Sequence, residues 1–436
     1  MDAGLALPWS RPRSIALGRA APVLLGAAIA LELVCALVLV LGADEAHRWL
    51  VPAARHAFPG WLHGPLPALD EDLTSNAIGA LLVAMVLGYG VVLALARRVG
   101  GRWPIAVCVA AIVLCALAPP MLSADVFGYV AWGELGAHGV NPYSHASIAV
   151  GHDAVRPFLL WHHGITPYGP LFTASTYALA PLGVGAALWT LKAAAALAAI
   201  ACVGLLWRSA ERLGRSPAQA VFALGLNPLV LVYGVGGAHN DLLLEAFVLA
   251  GVLAIAAGRA RTGAGAVVAA AAVKASAIVA LPFLVAGSPR LRRPVLAALA
   301  TGAALVACSF AIFGTPLLNI VGQLGSQQHD VAVHSVPAEL ARLAGAAGLP
   351  AWGHLVADAL LLAAVCALLV RTRRGADWLA GAGWAFVALL LTTAWLLPWY
   401  VAWAVPFAAL AADRRLLGAV WGLTLLIVVL RLPLLA

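Results

Sequence analysis

Long apolar runs dominate the chain and alternate with short polar segments. A membrane-spanning helix needs about 20 apolar residues, and most of these runs approach that length. They lack the ten-residue apolar/polar alternation of a transmembrane β-barrel. The sequence therefore predicts an all-α polytopic membrane protein with about 11–13 transmembrane helices. The clear spans are 20–42, 76–96, 103–121, 185–207, 217–235, 241–257, 294–313, 351–370, 377–397, 399–412 and 416–433.

Two further apolar segments, 168–184 and 264–285, are ambiguous because the first contains Pro170 and Pro181 and the second is interrupted by Lys274. If both are broken helices, or dip into the membrane and return, every basic cluster falls on the inner side. The positive-inside rule favours that arrangement, and broken helices tend to line cavities. The basic clusters are 11–19, 97–102, 208–215, 259–261, 290–293, 371–374 and 414–415.

The long polar connections 43–75, 122–167 and 314–350 then lie on the extracytoplasmic side, and the histidines lie on or near that side. Apolar and aromatic residues at mixed spacing in 122–167 predict short helices at the membrane interface. No short-period repeat or soluble domain is evident, so we expect one membrane domain over 1–436. The polar outer face is the expected working face.

Composition supports the membrane assignment, since the chain is 63% hydrophobic and only 10% charged, whereas a soluble domain carries about 25% charge. The net charge of +8 comes from arginine clusters between apolar runs. This distribution indicates topology and argues against a nucleic-acid partner. The six cysteines all lie in apolar runs without a CxxC pair, which indicates buried thiols and no thiolate metal site.

Asp125 is the first candidate for chemistry, because it follows the span 103–121 at a membrane boundary. A carboxylate there is costly unless it is solvated or functional, and it could act as a general base on a hydroxyl. The alternative is that Ser123 or Asp125 caps an interfacial helix. The acidic run 70–72 is most simply a solvated face.

Two other motifs bring polar side chains to the outer ends of spans. In TPYGPLF, Tyr168 stands in a rigid Pro/Gly turn, where it either serves the turn alone or contacts a sugar. In GGAHNDLLLE, the adjacent His239, Asn240 and Asp241 either cap the next helix or bind a hydroxylated substrate. Adjacent helical residues point in different directions, which makes a shared metal ion the least favoured reading.

Lys274, in AAVKASA, is one of only two lysines and lies within an apolar segment. An intramembrane lysine indicates function, here a cation for a phosphate, unless it snorkels to the interface. Lys192 is assigned to snorkelling. His334 in HSVP, with Arg342 nearby, and the aromatic segment 395–403 could border a sugar or lipid site.

Taken together, SADVFGY, NPY, TPYGPLF, GGAHNDLLLE and the lysine in AAVKASA resemble the GT-C superfamily of membrane glycosyltransferases. The pattern is most similar to the polyprenol-phosphate-mannose-dependent alpha-1,6-mannosyltransferases and covers roughly 120–410. No P-loop, GxSxG or HExxH motif is present. The candidate substrate-binding side chains of this chain are Tyr129, Asn141, Tyr143, Tyr168, His239, Asn240, Asp241, Lys274, His334 and Arg342.

The resemblance implies transfer of a hexose, most simply mannose, from a polyprenyl-phosphate donor to a glycan or glycolipid acceptor on the extracytoplasmic side of the cell membrane. It implies that Asp125 is the general base of an inverting reaction, and that His239, Asn240 and Asp241 shape the sugar or acceptor site. We infer that Lys274 or Arg342 offsets the phosphate charge. No cofactor is expected, although the use of a divalent cation stays open.

In the simplest GT-C layout, the catalytic carboxylate follows the first membrane-spanning helix. This chain departs from that layout, because Asp125 comes after further predicted spans and has no paired acid. The acidic run 70–72 therefore competes for the catalytic role. A transporter or flippase of a lipid-linked or small polar substrate is the alternative class, since broken helices and an intramembrane lysine suit it too. The lack of a half-to-half repeat and the one-sided polar face favour the enzyme.

Overall fold

The structure is a computed structural model that describes residues 20–44, 50–52, 58–69, 73–149, 154–288, 290–329, 331–332 and 334–432. These residues form 17 α-helices and no β-strand, which confirms the all-α prediction. In chain order the helices are α1 Ala20–Gly42, α2 Ser75–Leu95, α3 Trp103–Ala116, α4 Asp125–Ala137, α5 Pro170–Tyr177, α6 Gly183–Arg212, α7 Pro217–Gly225, α8 Asp241–Ala256, α9 Ala260–Val273, α10 Ala280–Ala286, α11 Arg292–Phe313, α12 Asn319–His329, α13 Val336–Leu343, α14 Ala351–Arg373, α15 Trp378–Thr392, α16 Val405–Leu410 and α17 Arg414–Val429.

Among the described residues, five helical segments are each long and apolar enough to cross a membrane. Several other apolar helices are too short to cross a membrane alone, so any further crossing would combine two or more helical segments. This pattern confirms a polytopic membrane protein with broken segments. The five long segments are Ala20–Gly42, Ser75–Arg98, Pro170–Arg212, Arg292–Phe313 and Ala351–Arg373.

One end of the helix bundle is rich in arginine. Arg97 follows α2, Arg215 follows α6 and Arg414 is the first residue of α17. All three line one cavity. Arg371 and Arg415 line a neighbouring cavity. We call this the arginine end; α2, α6 and α14 end there, and α7, α15 and α17 begin there.

The ambiguous segment 264–285 enters the bundle from the arginine end and returns to it. Helix α9 ends at Val273, Lys274 adopts an extended backbone with φ −153°, and a 3₁₀ turn leads into α10. The end of α10 lines a cavity together with Arg373 and Arg374, at the arginine end. The predicted re-entrant or broken segment is thus confirmed, with Lys274 at its tip.

Proline and asparagine explain where other predicted spans deviate from single α-helices. The segment 217–235 is interrupted at Leu226 and Asn227, just before Pro228, which has no N–H to donate. Asn227 Oδ1 accepts hydrogen bonds from the N–H groups of Leu229 (3.0 Å) and Val230 (3.2 Å), and a π-helix follows over Val230–Val235. Likewise, 399–412 is a 3₁₀ segment, Pro398–Trp403, followed by the short α16.

The long connection 122–167 carries short helices, as predicted, and so does 314–350. Helix α4 and two 3₁₀ turns occupy 122–167, and α12 and α13 occupy 314–350. Helix α5 packs against α9 because Gly169 lies directly on the backbone of Ala272, where a Cβ would collide. The Gly169 N–H also donates to the Val273 carbonyl oxygen (2.9 Å). This contact brings the TPYGPLF turn to the break in α9.

A buried ion pair joins the start of α8 to the break in α9. Lys274 Nζ lies 2.9 Å from each carboxylate oxygen of Asp241. The Asp241 side chain is only 1% exposed and that of Lys274 is 14% exposed. A charge buried to this extent needs a partner, so each residue holds the other in place.

We expect Lys274→Met and Asp241→Asn each to lose about 3–5 kcal/mol of stability, because each leaves its partner buried and unpaired. The double variant should lose much less than the sum of the two. Thermal unfolding midpoints of the purified protein in detergent measure this coupling.

The matched control is the exposed pair Arg342–Glu339, in which Arg342 Nη2 lies 2.6 Å from Glu339 Oε2 and the arginine side chain is 65% exposed. Arg342→Gln should cost under about 1 kcal/mol, because exposed ion pairs contribute little. Strictly additive effects at positions 241 and 274 would contradict the proposed coupling.

Candidate functional site

A cavity of about 340 Å³ opens between the connection 122–167, the break in α9 and the 3₁₀ segment Pro398–Trp403. Its polar lining includes a carboxylate, an ammonium group and a phenol, and the rest of the wall is largely aromatic or aliphatic. Pockets of this size that combine apolar walls with a few polar groups are typical ligand sites. The residues central to its chemistry are Asp125, Trp132, Trp161, Tyr168, Lys274, Trp395, Tyr400 and Trp403.

Asp125 is the first residue of α4, but its carboxylate does not cap that helix. Oδ1 accepts a hydrogen bond from Trp161 Nε1 (3.1 Å), and Oδ2 accepts one from the Tyr168 hydroxyl (3.0 Å). Ser123 Oγ accepts from the Asp125 N–H (3.2 Å), which fixes the start of the helix. The carboxylate is therefore held in the cavity wall by two donors from the loop after α4.

Burial raises the pKa of Asp125, because a carboxylate only 7% exposed loses most of its hydration. The hydrogen bond from Trp161, the charge of Lys274 and the hydrogen bond from Tyr168 oppose this rise. A raised pKa brings a carboxylate closer to the range of an effective general base. The competing acidic run 70–72 lies outside the described residues.

His239 lies beside Asp125 in the turn that precedes α8. Its ring is fully buried and stacks on Trp399, with centroids 3.6 Å apart. Burial lowers the pKa of His239 well below its usual value, so the ring is neutral. Its Nδ1 lies 3.6 Å from Asp125 Oδ2, which is a contact of a neutral ring with the carboxylate and not an ion pair.

Asn240 and Asp241 complete the HND motif in different ways. The Asn240 amide is buried and has no hydrogen-bond partner within the described part of the chain. It also makes no capping bond to α8. Asp241 does not line the cavity; it accepts from Trp403 Nε1 (2.7 Å) and pairs with Lys274. Asp241 thus orients two residues of the cavity wall, Trp403 and Lys274, without lining the cavity itself.

The Lys274 ammonium faces the cavity and is surrounded by aromatic rings. Nζ lies 4.7 Å from the ring centroid of Tyr400, 5.4 Å from Trp403 and 5.8 Å from Tyr168. Ring faces attract a cation without neutralising it. Lys274 therefore presents its ammonium group, which is already paired with Asp241, to the same space as the Asp125 carboxylate.

Three predicted contact residues support Tyr168. The Tyr129 ring meets it edge to face, with centroids 4.9 Å apart. Tyr143 is fully buried and its hydroxyl donates to the Tyr168 carbonyl oxygen (2.8 Å). Asn141 Oδ1 accepts from the Tyr143 N–H (3.0 Å), and its amide donates to the Phe313 carbonyl oxygen (2.6 Å). Their direct contact with a substrate stays a prediction.

His334 and Arg342 are placed with Glu339, on and just before α13. His334 Nδ1 lies 3.7 Å from Glu339 Oε1, and Arg342 bonds to the other carboxylate oxygen. Neither residue lines the cavity around Asp125. Of the two cations predicted to offset a phosphate charge, only Lys274 faces that space.

The assignment of Lys192 to snorkelling is wrong. Its side chain is 1% exposed and Nζ donates to the Gly236 carbonyl oxygen (2.7 Å). Gly236 begins the turn that carries His239, so this lysine braces the HND motif from α6. A backbone carbonyl group of this tight turn therefore provides the hydrogen-bond partner that Lys192 would otherwise find at the membrane interface.

The residue missed entirely by sequence reasoning is Trp161, which donates to Asp125 from 36 positions along the chain. Nothing in its neighbourhood distinguishes it from an interfacial tryptophan. Trp399 and Trp403 belong to a segment recognised as aromatic, but their specific partners were not predicted. No group of three or more potential metal ligands occurs among the described residues, and the use of a divalent cation stays open.

Comparisons with known proteins place the chain in a family. The model of the "Alpha-(1->6)-mannopyranosyltransferase, N-terminal domain" matches residues 23–290, and that of the "MptB C-terminal domain" matches 348–434. No solved structure matches the chain.

Two relatives indicate the extent of the similarity. Alpha-(1->6)-mannopyranosyltransferase A of Mycobacterium tuberculosis is 29% identical over 90% of this chain and 81% of its own length. The protein of the same name from Corynebacterium glutamicum is 30% identical over 43% of this chain and 42% of its own length. Because the first family model covers more than half of the chain, the protein belongs to the alpha-(1->6)-mannopyranosyltransferase family of glycosyltransferases.

Proposed function

We propose that the protein transfers mannose from a polyprenyl-phosphate donor to a hydroxyl of a glycan or glycolipid acceptor, with inversion at the anomeric carbon. The observation that carries this proposal is the placement of Asp125 and Lys274 on one cavity. A buried carboxylate suits a proton acceptor, and a buried ammonium suits a phosphate.

In the proposed step, the acceptor hydroxyl oxygen attacks the anomeric carbon of a β-linked mannosyl phosphate. The bond between that carbon and the phosphate oxygen breaks, and its electron pair leaves with the polyprenyl phosphate. Asp125 takes the hydroxyl proton, and the product is an α-glycoside. A single base suffices, because the phosphate is already a good leaving group and Lys274 stabilises its charge.

The walls of the cavity suit a sugar attached to a lipid. Trp132, Trp161 and Trp395 provide flat apolar faces for a pyranose ring. Val279, Leu324, Leu389 and Leu397 line other parts of the same cavity. They give the first isoprene units of the donor an apolar environment, and the membrane takes up the remainder of the chain.

The cavity lies away from the arginine end, which supports an extracytoplasmic active face. Helix α7 begins beside Arg215, and its continuation reaches His239 after about 20 residues, a distance comparable to the hydrocarbon thickness of about 30 Å. The positive-inside rule assigns the arginine end to the cytoplasm. The donor and acceptor would then meet on the outer surface of the cell membrane.

We expect Asp125→Asn to lower the rate of transfer by about 10²–10⁴-fold, the usual contribution of a general base. Donor binding should be retained, because the amide keeps the shape of the side chain and leaves Lys274 in place. Transfer from radiolabelled polyprenyl-phosphate-mannose in membranes measures the rate at matched expression.

The control is Glu211→Gln, which removes an exposed carboxylate that accepts from Trp207 near the arginine end. This variant should transfer at the parental rate. Full activity of Asp125→Asn would move the base to another residue. Failure of the parent with all polyprenyl-linked donors tested would reject the proposed donor class.

The pH profile provides an independent test, because the base acts only when it is ionised. The raised pKa of Asp125 predicts that kcat/KM declines with falling pH at values above the ordinary aspartate pKa of about 3.9. Tyr168→Phe removes a hydrogen bond that favours the ionised form, so this decline should move to higher pH.

The control for the pH shift is Tyr177→Phe, a change at a tyrosine that packs against Phe313 and does not line the cavity. It should leave the position of the acid limb unchanged. An acid limb that stays in place in Tyr168→Phe would show that a group other than Asp125 controls it.

A further inference from the structure

The arginine end contains a second cavity, of about 380 Å³, that the transfer reaction does not use. Its basic residues are Arg97, Arg215 and Arg414, which come from three separate parts of the sequence. The charges of Arg215 and Arg414 act unfavourably on the Arg97 guanidinium. Like charges placed in this way repel one another, and a bound anion would relieve that repulsion.

The hydrogen-bond partners that the described residues give Arg97 and Arg215 are neutral. Arg97 Nε donates to Gln219 Oε1 (2.7 Å), and Arg215 Nε donates to the Leu410 carbonyl oxygen (3.1 Å). Asp413 also lines the cavity, but its carboxylate accepts from Trp384 Nε1 and from the Arg415 N–H, both at 2.9 Å. Among the described residues, the three arginines form no ion pair.

An apolar groove of about 590 Å³ continues from this cavity between α2 and α17. Arg97 and Arg414 line both spaces, so the charged cavity and the groove are continuous. Leu87 and Val91 line the groove and are 53% and 40% exposed on a helix long enough to cross the membrane. From Leu87 to Arg97 the helix rises about 15 Å, which is about half of the hydrocarbon thickness.

Two glycines shape this groove. At Gly90 a Cβ would lie 2.7 Å from Trp421 Nε1, so glycine lets the indole lie against α2, where it donates to the Val86 carbonyl oxygen (3.0 Å). At Gly418 a Cβ would meet nothing within 4 Å, so this glycine faces open space in the groove. The Trp421 indole therefore closes one side of the groove, and the space beside Gly418 is open.

We propose that this charged cavity and its groove bind one anionic phospholipid of the membrane leaflet at the arginine end, with the phosphate among the arginines and an acyl chain along the groove. Guanidinium groups are preferred ligands for phosphate, and basic residues at a leaflet surface attract anionic lipids. A free phosphate ion would use the arginines but not the groove. The site is separate from the Asp125 cavity, so it stands or falls independently of the proposed transfer.

Native mass spectrometry of the purified full chain tests the proposal, with phosphatidylglycerol and phosphatidylcholine of identical acyl chains as probes. The parent should prefer phosphatidylglycerol. The double variant Arg97→Gln/Arg414→Gln should weaken phosphatidylglycerol binding by about tenfold to thirtyfold, and leave phosphatidylcholine binding nearly unchanged. Arg97→Lys/Arg414→Lys should retain much of the preference, because the charges remain.

Arg415→Gln is the matched charge control, because this neighbouring arginine lines a different cavity. It should retain the parental preference. Gly418→Leu should reduce binding by filling the groove, while Gly26→Leu, at a glycine of α1 that also faces open space and does not line the groove, should not. Leucine favours a helix over glycine, so both variants should fold, and unchanged unfolding midpoints would verify this.

Three results would overturn the proposal. The first is a parent that binds both lipids equally, and the second is a preference that survives Arg97→Gln/Arg414→Gln. The third is displacement of phosphatidylglycerol by millimolar inorganic phosphate together with no effect of Gly418→Leu, which would identify a site for free anions. Mannosyl transfer by the arginine variants provides a separate readout, so a failure of the proposed reaction would be recognised as such.

Discussion

The cost of burying charge beside a membrane governs the arrangement of this protein. Asp241 and Lys274 satisfy each other across the start of α8 and the break in α9. The break is required, because Lys274 lies where the segment turns back on itself. A continuous helix from Ala260 to Ala286 would have no such turn at which to present the lysine ammonium group. The same ammonium favours the ionised form of Asp125. One ion pair therefore links the fold of two membrane helices to the chemistry of the cavity.

Tryptophan and tyrosine supply the remaining partners that water would provide elsewhere. Trp161 and Tyr168 donate to Asp125, and Trp403 donates to Asp241. Such donors bind a carboxylate without adding charge, and at Asp125 they lower the pKa by favouring the ionised form, against the rise that burial causes. Their rings also form the walls of the cavity, a surface that would suit the proposed sugar. The aromatic residues thus act both as hydrogen-bond donors and as walls of the cavity.

The length of the apolar runs and the placement of arginine were sufficient to predict the all-α membrane fold and the broken segment at Lys274, since both follow from the cost of polar groups in lipid. Motifs also located Asp125, Tyr168 and Lys274, which share the cavity. The sequence could not reveal that Trp161 bonds to Asp125 or that Lys192 is buried against Gly236, because both contacts join distant parts of the chain. The pairing of Asp241 with Lys274 escaped prediction for the same reason, and the single domain over 1–436 stays a prediction.

The most direct test of the central claim is a cryo-EM structure of Asp125→Asn with polyprenyl-phosphate-mannose bound. The account predicts the mannosyl phosphate in the cavity lined by Trp161, Tyr168 and Tyr400. A phosphate oxygen should lie within hydrogen-bonding distance of Lys274 Nζ, and the anomeric carbon should face position 125 across a space for the acceptor hydroxyl. Donor density outside this cavity, or a phosphate remote from Lys274, would contradict the account.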